Sequence, residues 1–268
     1  MSEEDGRPMS SAWNPEQYSR FRDERSQPFF DLVALVRPIS GGRAVDLGCG
    51  TGELTKILHE TVDAAVTVGI DNSETMLERS EQYAGNGLRF KLGTILRFAP
   101  SKPVDLVFSN AALQWVPEHE PLFERLAAGL APGGQLAVQM PSNHDHPSHL
   151  IAHEIAGEEP FRALLDGYIR QVPVREPEWY AALLDRLGFT EQHVRMQVYT
   201  HHQESRDEVV EWTRGTLLTD YQQRMPAETF DGFLARYRER LLPQLSDSRP
   251  YFYPFKRLLI WARKPAAG

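Results

Sequence analysis

The stretch Val45-Asp46-Leu47-Gly48-Cys49-Gly50-Thr51-Gly52, answered further on by Gly69-Ile70-Asp71, decides how this chain folds. Arg43–Leu47 reads as a short buried strand that runs into three alternating glycines. Glycines at such a turn let the backbone bend tightly and approach a nucleotide-like ligand with no Cβ in the way. A helix follows over Glu53–Glu60, with Leu54, Ile57 and Leu58 on one face.

A dinucleotide-binding loop has the spacing Gly-x-Gly-x-x-Gly, and its third glycine would fall where Glu53 stands. Asp46 before the loop and Glu53 after it would repel a pyrophosphate. They tolerate a ligand with positive charge, and Asp46 could attract one. S-adenosylmethionine fits, with an ammonium group, a sulfonium and no phosphate. Asp71, about 20 residues past the glycines, is placed to accept hydrogen bonds from ribose hydroxyls. A nicotinamide-dependent oxidoreductase is the competing enzyme class, and Glu53 is the residue that discriminates against it. A non-catalytic binder of S-adenosylmethionine is a third reading, opposed by the intact Asp46, Gly48, Gly50 and Asp71.

Outward from the loop runs an alternation of strands and helices. Strands are expected at Ala65–Ile70, Leu88–Leu92, Val104–Ser109 and Gln135–Met140. Between them come a helix capped by Ser73 with Met76 and Leu77 inward, and a helix over His119–Leu130 stopped by Pro132-Gly133-Gly134. This rhythm predicts an α/β fold, a doubly wound, mostly parallel sheet. After Pro141 the pattern loosens into polar loops and amphipathic helices. A sixth strand is expected at His193–His201 and a last one at Phe255–Arg263. The expected organisation is a disordered stretch over 1–12 and a cofactor-binding core with an N-terminal lid over 13–145. A helical cap with remaining core elements follows over 146–250, and the final strand lies within 251–268.

The composition of the 268 residues, 41% hydrophobic and 25% charged, is that of a globular protein. Cys49 is the only cysteine, so no intrachain disulfide exists, and a reducing, cytoplasmic setting is expected. Its place inside the glycine loop suits small buried packing better than a nucleophile. No apolar run approaches the length of a membrane span. The net charge of −8 and the absence of a Lys/Arg-rich block argue against nucleic acid as partner and for a small-molecule methyl acceptor. His144, His146, His149 and His153 cluster, yet no His-Glu-x-x-His motif is present and no metal is expected.

With those residues in view, the chain resembles class I S-adenosylmethionine-dependent methyltransferases. More specific stretches are similar to the trans-aconitate 2-methyltransferase family: Trp13-Asn14-Pro15 with Tyr18, Glu24-Arg25-Ser26, Ser109-Asn110-Ala111-Ala112-Leu113-Gln114-Trp115, Ala137-Val138-Gln139-Met140-Pro141 and Arg257-Leu258. The resemblance implies a seven-stranded, Rossmann-like sheet whose last strand is antiparallel, with a helical cap over the cofactor. It implies that Asp46, Gly48 and Gly50 hold the methionine end and Asp71 the ribose. Asn72, Met76, Thr94 and Ile95 would lie near the adenosine, Asn110 and Ala111 beside the transferred methyl, and Trp13 and Tyr18 would close the site. Family members commonly carry Asp where Thr94 stands. A Gly-Leu-Arg-Pro stretch of the family corresponds to Leu217-Leu218-Thr219-Asp220, which removes an arginine suited to a carboxylate and adds an acid.

The activity implied is O-methylation of a small carboxylic acid such as trans-aconitate, with a natural-product hydroxyl or amine as the alternative acceptor. A carboxylate is already ionised and needs no general base, so no catalytic side chain is assigned. The protein would supply alignment and a counter-charge, for which Arg is the preferred partner. Arg22, Arg25, Arg175, Arg195 and Arg257 are the candidates, with Arg25 and Arg257 favoured. Gln114, Trp115, Asn143, His144 and Tyr180 complete the expected acceptor site.

Overall fold

The computed structural model describes residues 26–267. Trp13, Tyr18, Arg22 and Arg25 lie outside the described residues. A helix, α1 (Gln27–Val33), leads into β1 (Arg43–Leu47), and β1 into α2 (Glu53–Thr61) through the glycine loop. Then come β2 (Val66–Asp71), α3 (Glu74–Ser80), β3 (Leu88–Leu92), β4 (Val104–Asn110), α4 (His119–Ala128) and β5 (Leu130–Pro141). Helices α5 (Pro147–Ala156), α6 (Phe161–Leu164) and α7 (Pro177–Arg186) precede β6 (Glu191–Gln203). Helices α8 (Asp207–Arg214), α9 (Thr219–Gln222) and α10 (Ala227–Leu241) separate β6 from β7 (Tyr251–Arg263).

The seven strands form one sheet in the order β3-β2-β1-β4-β5-β7-β6. β1 to β5 pair in parallel, and β7 inserts antiparallel between β5 and β6. The central strands read as near-continuous apolar runs because both of their faces are covered. One face packs Leu47, Leu136, Val138 and Ile260 against α4 and α7. The other packs Phe108, Ala137 and Trp261 against Phe29, Phe30 and Leu58 of α1 and α2. Strands β6 and β7 pair from Glu191↔Arg263 to Gln203↔Tyr251, a ribbon that outruns the sheet and carries 204–250 at its tip. That tip, with α5 and α6, builds a second core around Tyr221, Phe233, Tyr237 and Tyr253.

Three expectations shift. The helix placed over His119–Leu130 ends at Ala128, and Leu130 already pairs with Val104 in β5. The Pro132-Gly133-Gly134 stretch is therefore an irregular part of a strand, not a helix stop. Both late strands are longer than the apolar pattern marks, because Tyr251 and Tyr253 alternate inward toward the cap core. Met76 does not face inward: Ser73 Oγ accepts from Met76 N at 3.3 Å, and the helix so begun turns Leu77 and Ser80 to the core. Met76 is left 41% exposed.

Candidate active site

The carboxyl ends of the parallel strands meet at the glycine loop. The loop is tied to β2 by Gly48 N and Cys49 N, which both donate to Ile70 O, at 2.8 and 3.1 Å. Gly48 has φ +83°, and a Cβ there would fall 2.3 Å from Ala112 Cβ. The position admits glycine alone, because the loop and the end of β4 touch through it. Gly50 also has a positive φ, +54°, yet nothing lies within 4 Å of where its Cβ would be. Its backbone borders open space, and Gly50 is not on the wall of the cavity that Gly48 and Asp71 line.

Asp71 organises this loop. Its Oδ2 accepts from Gly50 N and its Oδ1 from Ser73 N, both at 2.9 Å. One carboxylate thus fixes the glycine loop to the start of α3. Asp46 is only 4% exposed and accepts from Thr55 Oγ1 at 2.7 Å. Burial pushes its carboxyl up to about 7; the Thr55 hydroxyl opposes that shift and the Asp71 charge adds to it. Cys49 is buried, and burial together with Asp46 and Asp71 pushes its thiol far up, so it is an inert packing group. At the end of β4, Ala111 holds a left-handed φ of +55°. Its N–H donates to Gln139 O at 2.9 Å and its carbonyl accepts from Gln114 Nε2 at 2.7 Å. A non-glycine residue kept in that region is stored strain of a kind that gathers at functional sites.

These elements wall a cavity of about 570 Å³. Gly48, Asp71, Asn72, Thr94, Ile95 and Ala111 line it, as the sequence reading placed them. Ala112, Trp115 and Val116 extend the wall after β4, and Thr219, Asp220 and Gln223 close it from the cap. Among the described residues the lining holds two carboxylates, Asp71 and Asp220, and no lysine or arginine. Such a wall suits a cationic ligand and is wrong for a pyrophosphate. Thr94 Oγ1 accepts from Leu96 N at 3.3 Å, so Thr94 shapes the turn after β3. Asn110 stands just outside this lining, with a buried, unpartnered Oδ1.

Comparisons with known proteins identify the family to which a chain with this cavity belongs. Residues 39–173 match the family model described as a methyltransferase domain. A trans-aconitate 2-methyltransferase of Deinococcus radiodurans is 40% identical over 94% of this chain and 98% of its own length. One of Sinorhizobium fredii is 40% identical over 95% of this chain and 100% of its own. The chain belongs to the trans-aconitate 2-methyltransferase family. It is an S-adenosylmethionine-dependent methyltransferase. In fold it is similar to the YcgJ protein of Bacillus subtilis, with a TM-score of 0.59 at 14% identity over 90% of this chain and 99% of that one. The residues present fit the cofactor, with an anionic wall for its charge and a bare glycine backbone beside the space it would take.

Beyond Trp115, which is 53% exposed, lies a second cavity of about 460 Å³. Gln114, Arg170, Arg175, Asp220 and Arg224 are on its wall. A small chamber of about 60 Å³ adjoins it, lined by Gln114, Asn143, His144, His149 and Arg170. Gln114, Trp115, Asn143 and His144 are therefore gathered around one region. Asn143 also has a structural task, donating to Tyr253 Oη at 3.2 Å and accepting from Lys256 N at 3.1 Å.

Asp46, Gly50, Met76, Tyr180 and Arg257 are not on these walls. Tyr180 is 0% exposed in the core under α4, where its hydroxyl meets His119 Nδ1 and accepts from Arg175 N at 3.2 Å. The apolar face of α7 carries it inward. Arg257 is 7% exposed on the α1 side of the sheet, stacked over Phe255 at 4.8 Å, with NH1 3.5 Å from Gln139 Oε1. Burial pulls its guanidinium down to about 10. Arg170 and the cap residue Gln223 were missed by the sequence reading, which marked Thr219 and Asp220 only as a departure from the family. Arginines look alike in a sequence, and α9 is a four-residue helix with no periodicity to read.

Among the described residues no group of three or more His, Cys, Asp or Glu side chains is arranged to hold a metal ion, and no helix is long and apolar enough to cross a membrane. Two of the clustered histidines take part in local structure. His146 Nδ1 accepts from Ser148 N at 3.2 Å and caps α5, and Ser148 Oγ lies 3.2 Å from His149 Nδ1.

Proposed function

We propose that this protein transfers the methyl group of S-adenosylmethionine to a carboxylate oxygen of trans-aconitate in the cytoplasm. The observation that carries the reading is the change of charge across Trp115. On one side, among the described residues, is a cavity with carboxylates and no cation; on the other is one whose wall sets Arg170, Arg175 and Arg224 against Glu118 and Asp220, a net positive charge. A cationic cofactor and a polyanionic acceptor would each meet a wall of the opposite sign. The printed names of the relatives point to the same acceptor.

When bound, the cofactor supplies an electrophilic methyl group on sulfur. The acceptor oxygen forms the new bond to carbon as the bond to sulfur breaks, and that electron pair stays on sulfur. No proton moves, so the site needs no base. The residues present support that economy. Burial, with His146, His153, Arg170 and His144 adding their charges, pushes His149 down to about 3, too weak a base for a hydroxyl acceptor. Asp46, Gly48, Gly50 and Asp71 would hold the cofactor, Asn72, Thr94 and Ile95 its adenosine end, and Asn110 and Ala111 the region of transfer. Gln114, Trp115, Asn143 and His144 would surround the acceptor. Their contribution is orientation and exclusion of water.

The test is methyl transfer from labelled cofactor to trans-aconitate, followed by mild alkali. A carboxyl ester releases labelled methanol, whereas an ether or an amine keeps its label. Label appearing only on phenols or amines would sink the reading.

A further inference from the structure

Arg170 is the one cation shared by the second cavity and the small chamber beside it. Its guanidinium lies over the Trp115 ring, 4.0 Å from the centroid, and Trp115 is also on the wall of the cofactor cavity. Arg170 therefore stands one indole away from the site of transfer.

Its bonding is incomplete. Among the described residues no carboxylate lies within ion-pairing distance of Arg170. Asp220 is the carboxylate with an electrostatic effect on it among the described residues, but Asp220 is engaged elsewhere. Asp220 Oδ2 accepts from Tyr168 Oη at 2.6 Å and its Oδ1 from Arg224 Nε at 3.1 Å. The Arg224 guanidinium is itself held over the Tyr168 ring at 3.7 Å. Asp220, Tyr168 and Arg224 thus form a closed set, and Arg170 is left outside it. Stacking on Trp115 occupies a face of the guanidinium. The planar N–H fork at its edge is what remains, the arrangement that receives a carboxylate in two parallel hydrogen bonds. A half-buried guanidinium fixed by an aromatic ring has little rotamer freedom left to lose when it binds.

We propose that Arg170, braced by Trp115, is the receptor for a carboxylate of the acceptor that is not methylated, so that the enzyme selects acids with two or more carboxylates. The inference rests on the carboxyl-methylation reading and adds to it where the second charge is held. The acceptor would bridge Trp115, one carboxylate on the cofactor side and one on Arg170. A monocarboxylic acid would reach the methyl group but leave Arg170 unmatched.

The experiment uses the full chain saturated with S-adenosylhomocysteine and titrates in tricarballylate, a saturated tricarboxylate, by calorimetry. Arg170→Gln is expected to weaken tricarballylate binding about tenfold to a hundredfold, the loss of a charge-assisted pair. Arg170→Lys, which keeps the charge and loses the fork, should fall between wild type and Arg170→Gln. Arg186→Gln removes an equal charge from an exposed pair with Glu120 and should change nothing. Unaltered S-adenosylhomocysteine affinity shows that each variant is folded. The proposal is overturned if tricarballylate fails to bind the wild type. It is also overturned if Arg170→Gln weakens binding no more than Arg186→Gln. Arg170-dependent binding with no methyl transfer to trans-aconitate would keep the subsite and reject the reaction. Transfer that persists with binding indifferent to Arg170 would do the reverse.

Discussion

Asp46→Asn should raise the stability of the cofactor-free protein and weaken its hold on S-adenosylmethionine. The carboxyl of Asp46 goes from 3.8 in the unfolded chain to about 7 in the fold. The folded state therefore binds the proton more tightly than the unfolded one. The contribution of this group to stability is fully present below about pH 4. It is lost as pH rises, and the loss is complete above about pH 7. A displacement of about three pH units at about 1.4 kcal/mol each puts the penalty at about 4 kcal/mol in neutral to alkaline solution. Asparagine keeps the shape and can accept from Thr55 but never ionises, so it escapes that penalty. For a chain of this size the gain above pH 7 corresponds to a rise in Tm of about ten degrees, shrinking toward pH 4. Cofactor affinity should move the opposite way. An ammonium placed near Asp46 draws off the proton, so wild-type affinity climbs with pH up to about 7 and then levels. Asparagine removes both the attraction and the pH dependence. The assay is thermal unfolding of both proteins from about pH 4 to pH 8, paired with calorimetry of cofactor binding in two buffers of different ionisation enthalpy. Parallel stability curves for wild type and variant, or cofactor binding without proton release near neutrality, would refute the reasoning.

Asp71→Ala should weaken cofactor binding by about 1–3 kcal/mol through lost hydrogen bonds, read by calorimetry; unchanged affinity in a folded variant would move the site elsewhere. Gly48→Ala meets Ala112 Cβ at 2.3 Å and a backbone φ of +83°, so cofactor binding should be abolished and Tm lowered. Arg257→Met should be neutral or stabilising, because a buried guanidinium with no carboxylate partner among the described residues is traded for an apolar side chain. It should leave KM for the acceptor unchanged; a raised KM would bring Arg257 back into the acceptor site.

The sheet and the glycine loop were legible for a physical reason. Central parallel strands are apolar on both faces, and a turn that brings Gly48 against Ala112 admits no other residue. What was not legible depended on direction. Leu77 and Ser80 face the core and Met76 does not, a matter of where Ser73 starts the helix. Arg257 shares a sheet face with Gln139 and Trp261, so the strand alternation that buries Leu258 on one side buries Arg257 on the other. Tyr180 looks like a lid aromatic in the sequence, but the helix period that turns Leu183 and Leu184 to the core turns it inward as well. The cap wall of the cavity is three side chains from or just past a helix of four residues, whose place is set by packing alone.

The departure at Leu217-Leu218-Thr219-Asp220 takes on a different meaning in three dimensions. Read along the chain, Thr219 in place of an arginine and Asp220 in place of a proline together subtract two units of positive charge from the acceptor region. In the structure Asp220 spends its oxygens on Tyr168 and Arg224, and Arg224 lies four residues on from Asp220 across one turn. The acid and that cation cancel locally, and together they pin Tyr168. Tyr168 in turn is two residues before Arg170, whose own backbone N–H donates to Tyr221 Oη at 3.3 Å. The segment that carries Arg170 is thus fastened to the cap by Asp220 and Tyr221. Asp220 thereby helps to hold in place the segment whose Arg170 guanidinium lies over the Trp115 ring.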